Sequence, residues 1–150
     1  MIRHDLSHWP LVISMGQGAC SLAEVEAFHQ EWNRWLARGE PFATLRLFVD
    51  TDSTVQPPGA PVFVKQWLQT HSEAVRANVM GMAMLVCASE YPRFSKRNVE
   101  KLFGVPAAVF NELPAALDWL RERVYAPRGL RFDADAVAVS ITAMCMPIPL

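Results

Sequence analysis

Apolar and polar residues follow one another along the chain with the two periods that β-strands and α-helices require. Five short stretches are candidate strands: residues 1–7, which are mixed in polarity, and the apolar residues 9–15, 42–49, 80–88 and 107–110. Each of the last four is followed by apolar residues at helical spacing, beginning at Ser21, Pro61, about Ser95 and Asn111. This alternation predicts an α/β fold, with a four- or five-stranded, mostly parallel (mixed) sheet and about four covering helices.

The residues after Pro127 have a different pattern from the rest of the chain. Charged residues stop at Asp135, and beyond it residues 137–143 alternate larger apolar side chains with smaller ones, the pattern of a strand. We therefore divide the chain into an α/β domain over residues 1–126 and an apolar C-terminal extension over residues 127–150. Two roles stay open for the extension: an extra strand or tail packed on its own domain, or an arm that dimerises with a second subunit.

Composition limits the classes of protein to which the chain can belong. Its 150 residues are 51% hydrophobic and 19% charged, which is enough apolar surface to build one folded domain. The net charge of -1 argues against a general nucleic-acid binder, because such a protein needs a basic excess to meet the phosphates. No apolar run reaches the roughly 18 residues of a membrane span.

Three cysteines lie far apart in the sequence, at Cys20, Cys87 and Cys145. Their odd number and their spacing predict free thiols in a reducing compartment, so we expect a cytoplasmic protein. Neither the cysteines nor the histidines have the spacing of metal ligands, and the sequence contains no nucleophile elbow or catalytic-triad order. We therefore assign no catalytic residue, no metal and no cofactor.

In open parallel sheets, ligands bind beyond the carboxyl ends of the strands, so the segments after the predicted strands are candidate sites. These segments are residues 16–21, 50–54, 89–97 and 111–112. Gly18, Cys20 and Ser21 lie in the first one, before a helix N-terminus whose backbone amides are able to bind an anion. A plain strand-to-helix turn explains the same residues, because neither the dinucleotide-binding nor the P-loop glycine pattern is complete.

Two further groups of polar residues follow later strands. Asp50, Asp52 and Ser53 offer the oxygen ligands that Mg²⁺ prefers, or else side chains that hydrogen-bond their own loop. Arg93 and Arg97 belong to a basic cluster that fits a phosphate or an acidic partner, or else forms a solvated helix face. Together with the glycine turn, these residues are the candidate ligand or partner surface.

Several segments together resemble a family of small bacterial proteins. They are the strand beginning Trp9-Pro10-Leu11-Val12 with its turn at Gly16, the helix end near residues 39–42, the strand running into Asp50, Gly81-Met82-Ala83, and Phe110 with residues 116–120. Over residues 1–124 this layout resembles the SpoIIAA-like proteins, which are grouped with STAS and SEC14-like domains. The resemblance implies a mixed sheet of four or five strands with helices mainly on one face.

The same resemblance implies two kinds of function. STAS-type proteins are non-enzymatic regulators, some of which are phosphorylated on a serine in an Asp-Ser-Ser-Gly-like motif. This chain has Asp52-Ser53-Thr54 without the glycine, which puts a phosphorylated Ser53 or Thr54 in doubt. SEC14-like domains bind apolar ligands between the sheet and the helices. We therefore expect a regulatory or protein-interaction domain that forms a homodimer, with a small-ligand or lipid-binding domain as the alternative and a small enzyme as a third possibility.

Overall fold

A computed structural model describes residues 1–145 and confirms the α/β class with a mixed, mostly parallel sheet. The five strands lie across the sheet in chain order: β1 (Ile2–Asp5), β2 (Leu11–Gly16), β3 (Phe42–Phe48), β4 (Val79–Leu85) and β5 (Ala107–Phe110). β1 pairs antiparallel with β2, whereas all later neighbours pair in parallel. Each parallel pair therefore needs a crossover connection, and helices supply it.

Residues 1–145 form six α-helices rather than the four that the sequence predicts: α1 (Leu22–Ala37), α2 (Ala60–Asn78), α3 (Tyr91–Ser95), α4 (Val99–Phe103), α5 (Leu113–Trp119) and α6 (Ala134–Cys145). The helix expected from Ser95 to Phe103 is split, because the Asn98 side chain accepts a hydrogen bond from the Lys101 amide at 2.9 Å and starts α4 anew. None of the helices in this part of the chain is long and apolar enough to cross a bilayer.

Each face of the sheet carries its own apolar core, because successive side chains of a strand point to opposite faces. In β2, Val12 faces one core while Leu11 and Ile13 face the other. The first core is covered by α1 and α2, through Trp32, Trp35, Leu36, Trp67 and Val75. The second is covered by α5 and α6, through Ala116, Leu117, Val137 and Ile141. The expectation of helices mainly on one face is therefore wrong.

The strand predicted for the C-terminal extension is also wrong, because residues 134–145 form α6. The Asp133 carboxylate accepts a hydrogen bond from the Ala136 amide at 3.1 Å and begins the helix. Val137 and Ile141, one helical turn apart, are buried against the sheet, so the alternation that suggested a strand also contains a helical apolar stripe. This part of the extension packs on its own domain, and the prolines at positions 147 and 149 lie outside the described residues.

Candidate functional site

A cavity of about 290 Å³ lies between the sheet and helices α1 and α2, towards the carboxyl ends of β2, β3 and β4. Apolar and aromatic side chains form most of its wall. Three of the segments that follow strands meet there as the sequence predicts, and they contribute Cys20, Ser53 and Arg97 to the lining. The volume equals that of roughly ten water molecules, which is the size of a small organic ligand.

Arg46 brings a positive charge into this cavity from the interior of the sheet. In β3 the side chains of Thr44, Arg46 and Phe48 alternate with those of Leu45 and Leu47, which belong to the opposite core. The guanidinium carbon lies 4.8 Å from the ring centre of Phe28 and 4.6 Å from that of Phe48. The cation is therefore held between two aromatic rings in a fixed position.

The Arg46 guanidinium has no carboxylate within ion-pair distance among residues 1–145. Its Nη1 atom is buried and makes no hydrogen bond to the described part of the chain. Burial lowers the pKa of Arg46 to about 10, so the group still carries its charge at neutral pH. Buried charges in proteins are normally paired, and this arrangement therefore favours an anion beside Arg46.

Gly16 provides the space in which the guanidinium lies. It is the last residue of β2 and pairs with Phe48 across the sheet. A Cβ atom at this position would lie 3.2 Å from Nη2 and 3.3 Å from Nη1 of Arg46, which is closer than ordinary van der Waals contact. An alanine here would therefore require the guanidinium to shift by a few tenths of an ångström.

His29 lies on the α1 side of the cavity, with the rings of Phe63 and Trp67 edge-on to its own at 5.3 and 4.9 Å. Its Nδ1 atom is 2.8 Å from the backbone carbonyl of Val25. Burial, followed by the charges of Arg46 and His71, lowers the pKa of His29, although the hydrogen bond to Val25 opposes that fall. The ring is therefore neutral at physiological pH.

Buried hydroxyl groups lie on the floor of the cavity. Ser14 pairs with Arg46 across the sheet and is only 3% exposed, and its Oγ lies 2.8 Å from Nδ1 of His4. Thr44, two residues before Arg46 on β3, is also buried and lines the cavity. Ser14, Thr44 and Arg46 thus form a polar row on β2 and β3, while most of the remaining lining is apolar.

Asp50 organises the loops at the cavity instead of facing into it. Its carboxylate accepts hydrogen bonds from the amides of Gly18 at 2.9 Å and Ser53 at 2.8 Å, and these bonds hold its pKa below the usual range. Ser53 and Thr54 are buried, and their hydroxyls donate to the backbone carbonyls of Asp50 and Thr51. Neither hydroxyl is presented to a kinase in this arrangement.

The remaining predicted residues are spread around the site. Ser21 caps α1 by accepting a hydrogen bond from the Glu24 amide at 3.2 Å. Asp52 is exposed and begins a short 3-10 turn. Arg93 donates to Glu90 at 2.7 Å and to the hydroxyl of Thr54 at 3.2 Å, so it braces the cavity loop from outside.

Besides Ser53, the predicted residues Cys20 and Arg97 also belong to the cavity lining. Burial and the nearby Glu24 raise the pKa of the Cys20 thiol, so the sulfur is protonated at neutral pH. Arg97 is exposed at the mouth, with its guanidinium carbon 5.0 Å from the ring centre of Phe94. Residues 1–145 bring no three His, Cys, Asp or Glu side chains together in a metal-binding group.

The residues that dominate the cavity, Arg46 and His29, are absent from the sequence-based candidates. A signal for Arg46 was present, because a single cation interrupts the apolar stretch of residues 42–49 and shares its two-residue period with Thr44. His29 gave no comparable signal, since its position beside Phe28 on a helix fits a core or surface histidine equally well.

Comparisons with known proteins do not identify a function for the chain. No protein-family model matches the chain, and no curated protein or solved structure is significantly similar to it. The resemblance to SpoIIAA-like proteins therefore stays a prediction.

Proposed function

We propose that the protein binds a small organic acid, an apolar molecule with one anionic group, in the cavity between the sheet and helices α1 and α2. The observation that carries this proposal is the Arg46 guanidinium, a buried cation that lines an apolar cavity without a carboxylate partner in residues 1–145. Of the functions expected from the sequence, this is the small-ligand alternative. The regulatory or protein-interaction role and the homodimer stay predictions.

Arginine suits this task because its planar guanidinium donates two parallel hydrogen bonds to a carboxylate. The rings of Phe28 and Phe48 hold the group in place, so little side-chain freedom is lost when the anion binds. The apolar part of the ligand then contacts Trp32, Trp67 and Met82, which line the same cavity. Burial of that part supplies the hydrophobic share of the binding energy.

The three cysteines are free thiols, which supports a reducing compartment. We accordingly include a cytoplasmic location in the proposal, and with it an intracellular metabolite as the source of the acid.

The test uses acids whose size matches the cavity: medium-chain fatty acids and naphthoic acids, each compared with its uncharged methyl ester. Binding is measured by isothermal titration calorimetry and by the fluorescence of Trp32 and Trp67. Arg46→Met removes the charge and keeps an unbranched apolar side chain. Arg123→Met is the matched control, because Arg123 is exposed, lies in the helical segment that follows α5 and does not line the cavity.

We expect at least one acid to bind the wild-type protein and the Arg123→Met variant with equal affinity. Its ester and the Arg46→Met variant should bind roughly 10- to 100-fold more weakly, the range for a lost hydrogen bond to a charged group. Equal binding of acid and ester, or full binding by Arg46→Met, would overturn the proposal. Absence of binding by every acid of both series would overturn it as well.

A further inference from the structure

The hydrogen bond of His29 fixes which of its ring nitrogens carries the proton. A backbone carbonyl only accepts, so the Nδ1 atom that lies 2.8 Å from the Val25 oxygen must be the protonated one. In a neutral imidazole the other nitrogen then has a lone pair and no hydrogen. Nε2 makes no hydrogen bond to the described residues, and the ring lines the cavity. His29 therefore presents a hydrogen-bond acceptor there.

The hydroxyl groups at the cavity, unlike the His29 ring, do not require a hydrogen-bond donor from the ligand. Those of Ser53 and Thr54 already donate to backbone carbonyls, and that of Ser14 is engaged with His4. The hydroxyl of Thr44 is able to donate or accept, so it does not select between ligand groups. His29 accepts only, just as Arg46 donates only.

We infer that the ligand is an apolar acid that carries, besides its anionic group, a hydrogen-bond donor such as a hydroxyl or an N–H, and that His29 reads this donor through Nε2. The inference rests on the proposed function, since Arg46 must first hold the acid. It makes His29 a specificity-determining residue. Arg46 binds the anionic group of the ligand, and the donor on the same ligand must then reach the Nε2 acceptor of His29. A wholly apolar acid would leave the acceptor of His29 without a partner on binding.

The experiment compares three forms of each acid that binds in the test above: the unsubstituted acid, its positional hydroxyl isomers, and the matching fluoro isomers. Fluorine is similar in size to a hydroxyl but donates no hydrogen bond. Titration calorimetry is carried out on the wild-type protein, on His29→Phe, which keeps a ring and removes the acceptor, and on His29→Gln, which keeps an acceptor. Circular dichroism verifies that each variant is folded.

At least one hydroxyl isomer should bind the wild-type protein roughly 3- to 10-fold more tightly than its fluoro counterpart, the value of one hydrogen bond. The preference should vanish in His29→Phe and return in part in His29→Gln, and the readout is the ratio of hydroxyl-isomer to fluoro-isomer affinity within each protein. If the acids bind through Arg46 but no hydroxyl isomer is preferred, or if the preference survives in His29→Phe, this inference is wrong and the proposed function stands. If no acid binds through Arg46, both fail.

Discussion

Replacement of Arg46 by methionine should make the protein more stable while it removes anion binding. In the folded chain the guanidinium gives up most of its hydration and has no carboxylate partner within residues 1–145 to compensate. Methionine has a similar unbranched shape and fills the space between Phe28 and Phe48 without a charge. A residue kept for binding is expected to cost stability in this way.

The magnitude follows from the pKa of the buried group. Burial lowers the pKa of Arg46 to about 10, and the fall from the value of a solvated arginine corresponds to roughly 3 kcal/mol against the charged form. At pH 7 the group is charged in both the folded and the unfolded chain, so the full cost is present there. The cost disappears only as the pH rises from about 10 towards the pKa of the unfolded chain.

Part of this cost is offset by the two aromatic rings beside the cation, which contribute about 0.5–1 kcal/mol each. We therefore expect Arg46→Met to raise the free energy of unfolding by roughly 1–2 kcal/mol. For a chain of this length the corresponding rise in Tm is about 2–8 °C.

The assay is urea unfolding followed by tryptophan fluorescence, in a buffer that contains no organic acid or phosphate. The exposed control, Arg123→Met, should change the free energy of unfolding by less than about 0.5 kcal/mol. A loss of more than about 1 kcal/mol in Arg46→Met, with the control unchanged, would show that the fold itself satisfies the guanidinium. That result would refute the reasoning behind the anion site.

Two other predictions concern the packing and the pH dependence of the fold. Gly81→Ala should lower the free energy of unfolding in urea by about 1–3 kcal/mol, because the new Cβ would lie 2.6 Å from Cγ2 of Val124. Val124→Ala should then cost less stability in the Gly81→Ala protein than in the wild type, because it removes the clashing atom. Strictly additive effects of the two substitutions would contradict the clash. Burial keeps His4 and His29 neutral by lowering their pKa values below 6.5, so the unfolded chain binds protons first and stability should fall as the pH drops below 6.5. His29→Phe should reduce the fall in the free energy of unfolding per pH unit. An equal fall in the variant and the wild type would show that His29 does not contribute to it.

The sheet was largely predictable from the sequence, because four of its five strands are short apolar stretches bounded by turn signals. The capping box of Ser21 and Glu24 predicts the start of α1 and forms as expected. The rule that ligands bind at the carboxyl ends of parallel strands also pointed to the edge of the sheet where Cys20, Ser53 and Arg97 line the cavity, and ligand binding there stays a prediction.

The errors arose where the sequence signal fits two structures. Residues 137–143 satisfy the two-residue period of a strand, yet the alanine-rich composition and the four-residue spacing of Val137 and Ile141 suit the helix that forms. The central group of the candidate site was missed for another reason. An arginine in a strand is visible in the sequence, but whether a carboxylate partners it depends on which distant residues fold beside it.

Helix α6 also determines when folding can be completed. It is the last described element, and yet it covers strands formed by the first sixteen residues: the His8 ring contacts the hydroxyl of Ser140 at 2.7 Å, Cys145 lies 3.6 Å from the sulfur of Met15, and Arg3 donates to the Met144 carbonyl. During synthesis, this part of the apolar face of β2 therefore stays uncovered until α6 has left the ribosome. Apolar surface that is exposed in this way during synthesis is prone to aggregation until the helix covers it.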